Sequence, residues 1–164
     1  MGHCLDRNHR LGFTLVELTI VVMILGILAG VAAPRYQTAL AGFQLECAAK
    51  RLASDLRQAQ SLARLTSTKR GLQFFTLGNA YETLDDATHA AIPDPDRPAD
   101  NLSVWFGGGD SRIALTAADF SGSTSAEFDF RGDPVAIGSA TISGSGGTRI
   151  VHVRSAGLVE VETP

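Results

Sequence analysis

The chain has 164 residues, 45% of them hydrophobic and 7% aromatic, with a formal net charge of −3. That length suits one globular domain plus an appendage. Two cysteines, Cys4 and Cys47, argue against a disulfide framework, and four histidines (His3, His9, His89, His152) without ligand spacing argue against zinc.

Met1 to Gly12 is short and polar, with Arg7 and Arg10. Leu18 to Pro34 then forms a block of 17 residues with no charge. As a helix this block would be about 26 Å long, and Phe13 to Pro34 about 33 Å, close to the thickness of a bilayer core. Beyond Arg35 the chain reads as water-soluble, so the class is a single-span anchored protein with one exposed domain. Glu17 stands alone near the start of the apolar run, where an unpaired charge costs at least about 2–3 kcal/mol. A removable secretory signal fits poorly. The apolar core is longer than such signals use, it holds a carboxylate, and Pro34 follows the only good small-residue cleavage candidate, Val31-Ala32-Ala33. A plain signal anchor would give Glu17 no purpose.

The junction Gly12-Phe13-Thr14-Leu15-Val16-Glu17, behind this leader and ahead of the uncharged run, resembles the class III signal of type IV prepilins and type II secretion pseudopilins. The resemblance implies that a membrane-embedded aspartyl peptidase cuts between Gly12 and Phe13 and methylates the new N-terminus at Phe13. It also implies that Glu17 is the family's invariant glutamate, and Pro34 the proline that bends the long helix of many members. Electrostatics points the same way. A new α-amine on Phe13 would lie four residues before Glu17, and positions i and i+4 share a helix face. In an assembled bundle, the resemblance implies, the carboxylate could instead meet a neighbour's N-terminal amine. Glu17 then acts as a registry device, short of a full partner in lipid and given one by assembly.

Past Arg35, apolar or small residues recur at Leu45, Ala48, Leu52, Leu56, Ala59 and Ala63, the three- and four-residue steps of one helix face. Pro34 removes a backbone donor and crowds the preceding turn, so a kink is expected there. The helix is expected to run to about Thr66–Thr68, with Gly71 closing the region. Cys47 is expected as a small buried helix residue. Lys50, Arg57 and Arg64, spaced by seven, form a basic stripe opposite the apolar face. Such a stripe serves as a solvated face, a contact for an acidic patch on the next subunit, or a phosphate contact.

The remainder is strand-like. Gly71–Leu77 and Ala80–Leu84 flank Gly78-Asn79, a hairpin turn. In "AEFDF", Ala126, Phe128 and Phe130 alternate with Glu127 and Asp129. "RIVHVRSAGLVEVE" reads as a hairpin about Ser155-Ala156-Gly157, pairing Val153 with Val159 and Val151 with Val161 on the core face. The stretch Asp85 to Asn101, "GGGDS" and the Ser/Gly-rich residues around Gly144 to Gly147 read as loops too poor in apolar residues to add core.

The fold class is therefore α+β, with a long kinked N-terminal helix packed on an antiparallel sheet. Four segments are expected: a removable leader (1–12), a membrane and assembly helix (13–34), an amphipathic second half (35–70) and a β-rich domain (71–164). Leu52 to Phe74 and the closing hairpin resemble the minor GspH/FimT-like group, leaving Asp85 to Ser125 unassigned. Arg131-Gly132-Asp133 is a β-turn by position. Asp85, Asp86, Asp94, Asp96 and Asp100 match no EF-hand spacing.

No nucleophile beside a base and no phosphate-cradling loop are seen, so no enzyme, cofactor or metal is expected. The resulting expectation is a minor pilin-like subunit of a type II secretion pseudopilus or type IV pilus. Its partners would be prepilin peptidase, other pilins or pseudopilins, and the inner membrane, with the C-terminal domain on the periplasmic or outer side. Two rivals remain: a DNA-binding minor pilin for DNA uptake, and a membrane-anchored enzyme with its site in loops 85–125. Residues 35–164 keep a formal charge of −3, so nucleic acid is not expected as a partner.

Overall fold

One helix, α1 (Leu15–Thr66), accounts for almost a third of the chain and continues through Pro34. The computed structural model describes residues 13–85, 91–94, 97–106 and 113–164. The leader, Gly12 and the "GGGDS" stretch lie outside the described residues. The chain divides into two units after Gln37. In the first unit every described side chain is exposed, and α1 is long and apolar enough near its N-terminus to cross a membrane.

In the second unit α1 buries Leu45, Ala49, Leu52, Ala53, Leu56, Ala59 and Ala63, with Ala48 partly buried against them. Four of the seven fully buried residues are alanines, which lets the helix axis lie close to the strands beneath. Cys47 is exposed, not buried. It lies two residues from both Leu45 and Ala49, about 200° around the helix from each, and so faces away from the core.

The helix ends at Thr66 without a glycine. Ser67 takes the left-handed backbone conformation (φ 52°), and the Thr66 hydroxyl donates to the Leu62 carbonyl at 2.8 Å. Gly71, expected to close the helical region, sits inside a strand. A Cβ there would lie 2.4 Å from the Ala126 carbonyl oxygen, so close strand approach requires the glycine.

Ten strands follow. β1 (Arg70–Phe75), β2 (Ala80–Asp85), β5 (Ser103–Trp105) and β7 (Ser125–Phe128) form one antiparallel sheet in the order β5-β2-β1-β7. β6 (Ala114–Asp119), β8 (Gly138–Gly144), β9 (Gly147–Val153) and β10 (Val159–Glu162) form a second in the order β10-β9-β8-β6. β3 (Pro93–Asp94) and β4 (Arg97–Asn101) make a short pair. The inner residues of both four-stranded sheets and of α1 form one cluster, with Tyr81, Phe120, Phe128 and Ile142 among its fully buried members. Phe74 stacks on Phe120 at 5.5 Å and meets Tyr81 at 6.0 Å.

The closing hairpin has the expected register: Val159 pairs with Val153, Glu160 with His152 and Val161 with Val151. Two other expectations change. The β1–β2 hairpin turns through Thr76 to Asn79, because the ladder closes at Phe75–Ala80; Asn79, at φ 50°, takes the left-handed position. Phe130 is exposed rather than inward. The strand stops at Phe128, and the Asp129 carboxylate accepts the Arg131 and Asp133 amides at 2.9 and 2.8 Å, turning the chain before Phe130 can alternate inward. The Ser/Gly-rich stretch around Gly144 to Gly147 holds no buried residue, as expected. It is the tip of the β8–β9 hairpin, whose β8 buries Ala140 and Ile142. Gly146 at that tip lies against α1, where a Cβ would meet the Gly42 Cα at 2.5 Å.

Candidate functional site

The N-terminal motif begins with a helix cap. The Thr14 side-chain oxygen accepts the Glu17 backbone amide at 3.2 Å, and the Thr14 carbonyl accepts the Leu18 amide at 3.1 Å. Thr14 is thus the N-cap and Glu17 the third helical residue, the Thr-x-x-Glu spacing of a capping box. A carboxylate in the first turn also faces the positive end of the helix dipole. Phe13 lies ahead of the cap and is exposed. It lies two residues ahead of the first helical residue, Leu15. Among the described residues no cation lies within ion-pair distance of Glu17. Behind it, Leu18 to Ala33 presents only uncharged, exposed side chains.

The basic stripe is largely engaged within the chain. Arg57 donates to the Val159 carbonyl at 2.6 Å, and Arg64 donates to the Arg131 carbonyl at 2.9 Å. Gln60, between them, donates to the Gly132 carbonyl at 2.8 Å. One row of the helix thus fastens β10 and the Asp129–Asp133 turn. Gly132 (φ 80°) and Gly157 (φ 71°) permit the approach: a Cβ would lie 2.2 Å from Arg64 Nε at the first, and 2.0 Å from Gln60 Nε2 at the second. Lys50 pairs with Glu46 at 3.3 Å, and Arg149 reaches the same carboxylate at 2.8 Å. Arg149, then Lys50, hold the Glu46 carboxyl below its usual value. Of the stripe, Lys50 is therefore ion-paired, whereas Arg57 and Arg64 each hold a neutral carbonyl and keep their charge.

Two further contacts were invisible at the level of sequence. Tyr81, buried in β2, donates its hydroxyl to the Asp55 carboxylate of α1; burial, and then Asp55, push its phenol well above the usual value of 10. Asp85, read as part of an acidic loop, belongs to β2 and pairs with Arg70 at 2.8 Å. Asp86 and Asp96, and the side chains of Asp94 and Asp100, lie outside the described residues. Among the described residues no cluster of three metal-ligating side chains occurs.

Residues 7–33 match the family model described as the prokaryotic N-terminal methylation motif. The fold is similar to that of the type IV minor pilin FimU of Pseudomonas aeruginosa. That match is 19% identical, covers 73% of this chain and 89% of FimU, and has a TM-score of 0.55. The minor pseudopilin EpsH from the type 2 secretion system of Vibrio cholerae is similar at 10% identity, over 73% of this chain and 97% of EpsH, with a TM-score of 0.54. The methylation motif thus covers the N-terminal part of the chain, and the helix-on-sheet head has the fold of these minor pilin and pseudopilin structures.

Proposed function

We propose that the chain is a minor pilin-like structural subunit of a type IV pilus or type II secretion pseudopilus. Prepilin peptidase removes residues 1–12 by cutting between Gly12 and Phe13, and Phe13 is N-methylated. Residues 13–34 hold the subunit in the inner membrane, with the head on the periplasmic or outer side, until it joins a filament with other pilins or pseudopilins. The subunit is structural and not catalytic.

The observation that carries this reading is the solitary carboxylate at Glu17, without an ion-pair partner among the described residues, ahead of a fully exposed uncharged helix. In lipid that group lacks a counter-charge, and a neighbouring subunit's N-terminal amine supplies one. Because Phe13 lies outside the helix, an amine from another copy answers Glu17 as readily as its own. The DNA-uptake reading is disfavoured by the formal charge of −3 on residues 35–164.

Glu17→Ala tests the proposal in a host with the assembly machinery. Membrane insertion stays intact, because the span becomes more apolar. Recovery of the subunit in the sheared filament fraction drops sharply. Equal recovery of the alanine variant would remove the registry role.

A further inference from the structure

The outer face of the β5-β2-β1-β7 sheet carries a groove with its own chemistry. Strand register places Phe75, Ala80 and Trp105 side by side in one row, and Gln73, Glu82 and Ser103 in the next. Neighbouring strands lie about 4.8 Å apart, so the two aromatic residues rise about 10 Å from one another with a methyl group between them. Leu77 in the β1–β2 turn is fully exposed and closes one end. Phe75, Leu77, Ala80, Glu82 and Trp105 line a single depression of about 510 Å³. The Trp105 indole donates to the Ser103 hydroxyl at 3.1 Å, which draws the ring toward the row that holds Glu82. Glu82 is half-buried and has no ion-pair or hydrogen-bond partner among the described residues. Among the described residues no basic side chain lines the groove.

An exposed aromatic pair, an apolar floor and an unanswered carboxylate select among occupants. An aliphatic side chain would cover the floor but strip water from Glu82 without replacing it. A neutral sugar could stack on the indole and would leave the charge unanswered. A guanidinium satisfies every wall: it is planar, weakly hydrated, stacks on tryptophan, and donates two hydrogen bonds to one carboxylate. We infer that this groove docks an arginine side chain presented by a partner protein, stacked on Trp105 and paired with Glu82. The inference does not depend on which filament the chain joins.

Trp105 is the only tryptophan in the sequence, so its emission reports the groove directly. The full chain in detergent micelles is titrated with acetyl-Ala-Arg-Ala-amide and with the same peptide carrying citrulline, lysine or leucine. The arginine peptide gives a saturable change in emission, with half-saturation at about 1–10 mM, as befits one side chain. The citrulline peptide, isosteric but neutral, binds at least about fivefold more weakly, the loss of one charge-assisted contact. Glu82→Gln weakens the arginine response by a similar factor, with circular dichroism unchanged. Phe75→Ala also weakens it. The native chain with the citrulline peptide keeps the test independent of any variant's folding. A flat titration, equal binding of the leucine or citrulline peptide, or indifference to Glu82→Gln would overturn the inference. So would a saturable response to a tri-N-acetylglucosamine probe in place of arginine, or an emission change driven by protein concentration alone, which would put a second copy in the groove.

Discussion

Replacing Arg57 and Arg64 with methionine keeps the apolar stems on the helix and removes the two guanidinium contacts to β10 and the Asp129–Asp133 turn. A hydrogen bond from a charged donor contributes about 1.5–3 kcal/mol when its acceptor is otherwise lost. Both arginines are themselves exposed, at the rim of the helix–strand contact, and neither bond is fully buried, so water partly replaces the lost donors and about 1 kcal/mol each is the appropriate figure. The acceptors lie on separate segments, so the two losses add to about 2 kcal/mol. For a head of this size that corresponds to a fall of roughly 6–10 °C in Tm. Urea unfolding of residues 35–164, followed by circular dichroism and by Trp105 emission, measures it, with an unchanged slope showing that only stability has moved. A double variant within about 0.5 kcal/mol of the native head would show that the helix row does not fasten the hairpin. If that variant also lost a submicromolar, salt-sensitive affinity for DNA present in the native head, the arginines would be phosphate contacts and the uptake reading would return.

Gly157→Ala forces a side chain into a left-handed turn and against Gln60, costing about 2 kcal/mol from strain and a displaced hydrogen bond. Gly122→Ala has the strain (φ 90°) but nothing within 4 Å, so it costs about 1 kcal/mol; equal unfolding midpoints for the two variants would refute the contact. The head is also expected to weaken at both ends of the pH scale. Glu46 is held below its usual 4.5 by Arg149 and Lys50, so its contribution is full above that value and is lost as pH falls through the folded value. Glu46→Gln is therefore less stable than native at pH 7, and the two converge in acid. Tyr81 is raised above its usual 10, so its contribution is present below that pH and is lost above it. Tyr81→Phe removes the alkaline decline, and thermal melts across pH check both signs.

Short-range pattern made much of this fold legible. The helix face through Leu45, Leu52, Leu56, Ala59 and Ala63 follows from three- and four-residue spacing, and the closing hairpin from valine alternation about Gly157. The misses share a cause. Phe130 fitted the alternation of its strand, but the Asp129 carboxylate captured two amides and ended the strand first. β8 was hidden because Gly138–Gly144 carries only Ala140 and Ile142 as buried apolar residues, and its partners on both sides supply the rest of the core. The arginine row showed as a seven-residue spacing, but its acceptors lie 102 and 67 residues further along the chain. At the N-terminus Thr14 and Glu17 read in the sequence as part of the cleavage junction, whereas the structure uses them as a helix cap, with Phe13 ahead of the helix.

Intact mass and N-terminal sequencing of the protein purified from membranes of a host with prepilin peptidase test the central claim most directly. The account predicts a chain that begins at Phe13, lacks residues 1–12 and carries one methyl group on its α-amine. A chain that begins after Ala33, or one that retains Met1 to Gly12 in the presence of active peptidase, would contradict it.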